Sequence, residues 1–186
     1  MLTKRFRRRV ERDERGAALV EFALVFPLFM TLVLGMFSGG IAYDRKLTLT
    51  NAAREGSRYG ATLAPATLPV PPPSTCCGID QWVYKVADAV MQNADGNLDA
   101  GVNGRYICVA YVYPGATTHA ESTHKLVRTT SDVASDGSGC FPDGLSNADR
   151  RVQIEVRRKS PLETLVFSYD LTLTAKSVTR FEATDF

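Results

Sequence analysis

The hydrophobic pattern divides the chain into three kinds of text. From Phe22 to Tyr43 there are 22 consecutive residues without a charge, dense in Leu, Val, Phe and Met. As a helix such a run spans roughly 33 Å, against about 30 Å for the hydrocarbon core of a bilayer, and it predicts one transmembrane helix over residues 17–43. Beyond Tyr43 no helix breaker intervenes before Gly56, and Leu49, Ala53, Gly56 and Gly60 recur at i, i+4, i+7 and i+11. This narrow stripe of small residues predicts a helical stalk over 44–62, one side of which touches a domain or a neighbour. Arg45, Lys46, Arg54, Glu55 and Arg58 occupy its other faces.

The third kind of text is mixed. Five prolines (Pro65, Pro69, Pro71, Pro72, Pro73) predict an extended linker over 63–75, and a separate unit over 76–186 follows it. Within that unit Ile79, Val83, Val86 and Val90 share one helical face, with Asp80 as the expected N-cap. Tyr106–Tyr113 is apolar at every register and reads as a central strand. Arg151–Arg157 alternates Val152, Ile154 and Val156 with Gln153, Glu155 and Arg157, the pattern of a half-buried strand; Ser168–Ala175 repeats it with Tyr169, Leu171 and Leu173. Residues 114–150, rich in Gly, Ser, Thr and Asp, read as an exposed excursion. The expected fold class is α+β: a single-pass N-terminal helix extended into a stalk, then a small domain with an antiparallel sheet and at least one helix.

Charge sharpens this division. Ahead of Gly16 stand seven basic residues (Lys4, Arg5, Arg7, Arg8, Arg9, Arg12, Arg15) against three acidic ones (Glu11, Asp13, Glu14), a local +4, while the whole chain carries +2. Everything after Gly16 is therefore −2, which argues against nucleic-acid binding by the outer unit. Basic residues before the span place the N-terminus in the cytoplasm and the C-terminal unit outside. A cleaved secretory signal, with small residues at Gly40-Ile41-Ala42, competes with this reading, but its apolar region should be only about 7–15 residues long.

All four cysteines, Cys76, Cys77, Cys108 and Cys140, lie beyond the span, where an even count reads as structural disulfides. Adjacent Cys76 and Cys77 favour a pattern in which each pairs with Cys108 or Cys140; a Cys108–Cys140 bridge is the alternative. No Cys-x-x-Cys spacing exists, and His119, His124 and Glu121 sit in polar text without helical context, so no metal or other cofactor is expected. Asp95, Asn97 and Asp99 match the opening of a calcium loop, but Ala100 replaces its glycine and Tyr106 its closing acid, which favours a solvated loop. No serine-hydrolase elbow, phosphate loop or metalloprotease helix is present, and no enzymatic activity is expected.

Glu21 is the carboxylate at the head of the span, five residues after Gly16. An ionisable group at such a place is a functional candidate by default, the alternative being that it reaches back to the headgroups. Pro27 removes a backbone hydrogen bond within the span and predicts a kink or loosened turn. Gly35 and Gly39 have the small-xxx-small spacing of close helix packing.

Taken together, Gly16-Ala-Ala-Leu-Val-Glu21-Phe22, Pro27, Gly35, Gly39 and the Asn51-Ala-Ala-Arg-Glu-Gly56 text resemble the TadE-like family, pseudopilins of tight-adherence (Flp-type) pilus systems. The resemblance covers about residues 15–60. It implies a basic leader over 1–16, removed by a prepilin peptidase between Gly16 and Ala17, and an assembly role for Glu21 and Phe22. The implied partners are that peptidase, other pilins or pseudopilins, the inner-membrane assembly platform and the lipid bilayer, with the chain residing in the inner membrane or a surface pilus. The competing reading is an uncleaved, membrane-anchored periplasmic interaction or adhesion module.

Overall fold

The computed structural model describes residues 3–63, 78–113, 122–129, 132–136, 139–145, 150–164 and 167–181. The proline-rich segment, Cys76, Cys77, His119 and Glu121 lie outside the described residues. The chain divides into two compact units, Met1–Ile41 with Pro161–Asp170, and Ala42–Ser160 with Leu171–Phe186.

Helix α1 runs from Thr3 to Thr62 and passes through Pro27 without interruption. Helix α2 is Gly78–Gln92, and five strands follow: β1 Tyr106–Tyr113, β2 Ser122–Arg128, β3 Asp132–Asp136, β4 Arg151–Glu163 and β5 Ser168–Arg180. They form one sheet in the order β3-β2-β1-β4-β5, so β1 is central, as its two-sided apolar text requires. The fold is α+β. Asp80 falls inside α2 rather than before it, so it is not the N-cap.

Residues 42–62 of α1 belong to the core of the outer unit. Leu49, Ala52 and Ala53 are fully buried, together with Trp82, Val83, Val86, Ala87 and Val90 of α2 and Ile107, Val109, Val152, Ile154 and Val156 of the sheet. The small-residue stripe is thus an intramolecular packing surface. A Cβ at Gly56 would stand 2.2 Å from Val90 Cγ2, and one at Gly60 would stand 3.0 Å from Trp82 Cζ2. Only glycine lets the two helices approach this closely. The lone tryptophan finishes the contact: Trp82 Nε1 donates to the carbonyl oxygens of Gly60 at 3.2 Å and Leu63 at 2.9 Å, satisfying acceptors that the end of a helix leaves free. Ser57 Oγ lies 2.8 Å from the hydroxyls of both Ser177 and Thr179, tying α1 to β5.

Three strand expectations need correction. The 114–150 excursion contains β2 and β3, with β2 antiparallel to β1 in the register Cys108↔Val127 and Val109↔Leu126. Their polar composition reflects the edge of the sheet, where β3 is outermost, and so hides them from a hydrophobicity reading. Strand β4 is not half-buried: Arg151 to Val156 are all buried. Strand β5 turns an apolar side inward only from Leu173 and Ala175, leaving Tyr169 and Leu171 exposed.

The β4 result has a specific cause. Cys108, Ala110 and Val112 stand opposite Glu155, Gln153 and Arg151, on the side of the sheet away from α2. Segment 139–145 closes over that side, joined to β1 by the Cys108–Cys140 disulfide. This corrects the favoured pairing, which drew Cys76 and Cys77 into bridges with Cys108 and Cys140. Alternation in a strand reports which residues share a face, and it cannot report that a distant loop covers the polar one.

Candidate functional site: the exposed N-terminal helix

Two regions carry chemistry that the core does not consume, and their geometries differ. The first is the polar face of β4. Asp143 receives Arg151 Nε at 2.6 Å, Gln153 Nε2 at 2.7 Å and the Leu145 backbone N–H at 3.1 Å. Gln153 Oε1 accepts from the Cys140 backbone N–H at 2.9 Å. Burial alone would raise the Asp143 carboxyl, but Gln153, Leu145 and Arg151 outweigh it and hold the group below the ordinary carboxylate range. A Cβ at Gly139 would stand 2.2 Å from Gln153 Oε1, so the glycine lets the segment lie flat on the strand. Beside this cluster Glu155 accepts from Arg157 Nη2 at 2.8 Å and faces Lys176 Nζ at 3.6 Å. Among them Asp143, Arg151 and Gln153 bond one another where the 139–145 segment lies on β4. The arrangement fastens a segment to the sheet; sequence reading missed it because Asp143 lies eight residues from its arginine in a loop of unremarkable composition.

The calcium-like residues are also used locally. Asn97 Oδ1 accepts from Arg158 Nη1, Leu98 is fully buried, and Asp95 takes a positive φ of 45° in the turn. Among the described residues no group of three or more His, Cys, Asp or Glu is placed to hold a metal ion.

The second region is α1 ahead of Ala42. Gly16, Ala17 and Glu21 all lie within the helix and are exposed, so the expected processing step and the carboxylate share one continuous element. Four residues separate Ala17 from Glu21, about 6 Å along the axis. Phe22 is 63 % exposed, its ring 5.5 Å from that of Phe26, and Leu19, Leu24, Val25, Leu28, Phe29 and Leu32 are exposed as well. One turn beyond the proline, Thr31 Oγ1 donates to the Pro27 carbonyl at 2.7 Å. Added Cβ atoms at Gly16, Gly35 and Gly39 would meet nothing within 4 Å, so these glycines leave a smooth, unoccupied helix surface.

Among the described residues one helix is long and apolar enough to cross a membrane, and none of its most apolar window is buried within the protein. A water-soluble protein rarely leaves an apolar surface of this extent uncovered. The arrangement defines a class: an α+β protein carried on a single N-terminal membrane-anchor helix. Within that class the match is to TadE-like proteins, whose family model covers residues 16–58. The matched residues include Gly16, Glu21, Phe22, Pro27, Gly35 and Gly39. The match takes in just under a quarter of the chain, ending within the stalk. No curated protein and no solved structure matches the chain.

Proposed function

We propose that this protein is a non-enzymatic minor pseudopilin, or pilus-assembly subunit, of a tight-adherence system, processed after Gly16 and assembling through the helix that starts at Ala17. The observation that carries the proposal is the uncovered apolar surface of α1 with Glu21 at its head, in the segment that matches TadE-like proteins. Gly16 costs a helix about 1 kcal/mol relative to alanine, which lowers the work of unwinding the bond that a prepilin peptidase must reach. Cleavage removes the +4 leader and creates an amine about 6 Å along the helix from Glu21. In a water-poor bundle the amine of one subunit and the carboxylate of its neighbour neutralise each other, and a wrong register leaves both charges unpaired. Gly35 and Gly39 allow a neighbouring helix to approach closely. The outer unit, fastened by its disulfide, is carried on the periplasmic or extracellular side.

N-terminal sequencing of the protein from its native membrane tests processing. A chain that starts at Ala17 supports the proposal, an intact Met1 favours an uncleaved adhesion or interaction module, and a start at Tyr43 favours secretion. Glu21→Ala tests assembly: processing continues, while co-purification with other pilus subunits falls severalfold. Wild-type recovery of those subunits by the variant would remove Glu21 from the mechanism.

A further inference from the structure

The connection between β4 and β5, taken with the strand ends that flank it, carries apolar side chains that the core of the outer unit does not use. Pro161–Asp170 falls in the same compact unit as the first 41 residues of α1. Ser38 Oγ donates to the Glu163 carbonyl oxygen at 2.8 Å, which fixes the connection at the level of Ser38. Ser38 lies five residues before Tyr43, the end of the uncharged run, or about 7 Å along a helix. A membrane that accepts the run therefore meets this connection near its outer face.

The side chains and the backbone both suit that place. Phe167 is 62 % and Tyr169 64 % exposed, and Pro161 is exposed beside a half-buried Leu162. Phenyl and phenol rings are apolar bodies of the kind that collects at membrane–water boundaries, tyrosine above all because its hydroxyl stays wet. Thr164 N donates to Phe167 O at 3.0 Å, Thr164 Oγ1 also donates to Phe167 O at 2.7 Å, and Phe167 N donates back to Thr164 Oγ1 at 3.1 Å. These bonds satisfy polar groups that would otherwise have to remain in water. Glu163 and Asp170 are exposed and ionisable, so they set a limit on depth. The connection belongs at the boundary of headgroups and acyl chains, not in the hydrocarbon centre.

We propose that residues 161–164 and 167–170 form a second membrane contact, in which Phe167 and Tyr169 enter the interfacial layer of the bilayer beside α1. The occupant is lipid because the Ser38 bond holds the connection about 7 Å from the outer end of the uncharged run, a depth that apolar side chains reach at the boundary of headgroups and acyl chains. The proposal rests on α1 being the anchor, and the test separates the two.

Full-length protein is reconstituted into phosphatidylcholine–phosphatidylglycerol vesicles with brominated acyl chains. Native Trp82 is fully buried and gives a constant background. Phe29→Trp reports the anchor, and Phe167→Trp reports the connection. The expected result is quenching of both added tryptophans, with Phe167→Trp losing roughly half its added emission, and more to shallow than to deep bromines. Quenching of Phe29→Trp with undiminished Phe167→Trp emission would overturn the second contact alone. Loss of neither signal would overturn the anchor and the contact together. A Phe167→Trp emission that is shielded from aqueous iodide but insensitive to bromine would assign the surface to a neighbouring protein and reject lipid.

Discussion

The two units invert the usual relation between polarity and burial. Ahead of Ala42, α1 exposes Leu, Val and Phe side chains around its surface, whereas the outer unit buries Arg151, Gln153 and Glu155. The difference shows that burial within this chain follows the availability of partners more than the hydrophobicity of a residue. Polar groups are enclosed where an opposing loop supplies donors and acceptors, which offsets their loss of water. Large apolar groups stay uncovered where no described part of their own unit packs on them, as suits a membrane anchor.

The sharpest way to break the contrast is to release the loop that encloses the polar face. Cys108 and Cys140 are 32 residues apart, and the chain-entropy model gives their bridge about 3.7 kcal/mol. Cys108→Ser with Cys140→Ser should lower the denaturant midpoint of the outer unit accordingly and speed proteolysis around 139–145. An unchanged midpoint would mean that hydrogen bonds alone hold the loop. Asp143→Asn is the next largest, at about 3 kcal/mol, because it removes the carboxylate that pairs with a buried Arg151.

The same carboxylate links stability to pH. Its folded pKa lies below the unfolded value of about 3.9, so its contribution is fully present above that value and is lost as pH falls through the lower folded one. Denaturation curves of the wild type should therefore weaken below about pH 4, and those of Asp143→Asn should weaken less over the same window. Parallel curves would remove Asp143 as a source of the acid sensitivity.

Smaller effects compare glycines along one helix. Gly56→Ala places a Cβ against Val90 and Ile154 in a full core and should destabilise the outer unit by about 2 kcal/mol despite alanine's better helix propensity. Gly35→Ala meets nothing within 4 Å and should leave that stability unchanged within about 0.5 kcal/mol. A comparable loss from Gly35→Ala would show that the span, too, is packed against its own chain. Both variants are read by thermal unfolding in detergent followed through Trp82.

The elements with strong periodicity were legible without the structure. The uncharged run, the small-residue stripe, the apolar face of α2 and central β1 all lie where their spacing places them, and the Gly16-to-Arg58 text carries the family resemblance. What escaped was non-local. Strands β2 and β3 are polar and owe their place to pairing with β1 and β2 in turn, and Asp143 meets Arg151 in a loop that a disulfide joins to the sheet. The pairing of Cys108 with Cys140 stood only as the alternative, since cysteine counting constrains the number of bridges but not their partners. The exposed Phe167 and Tyr169 looked like ordinary strand residues, because alternation cannot reveal where a sheet outgrows its core.

The seat of α1 in the outer unit has a mechanical consequence. The helix is held over residues 42–62, about 30 Å of its length, by interlocked side chains, by the Ser57 hydroxyl pairs and by the Trp82 hydrogen bonds at its end. Tension applied to the outer unit is therefore shared along several helical turns loaded in shear, so that many contacts must yield together. A joint of that kind resists pulling far better than a single tether that peels open one bond at a time.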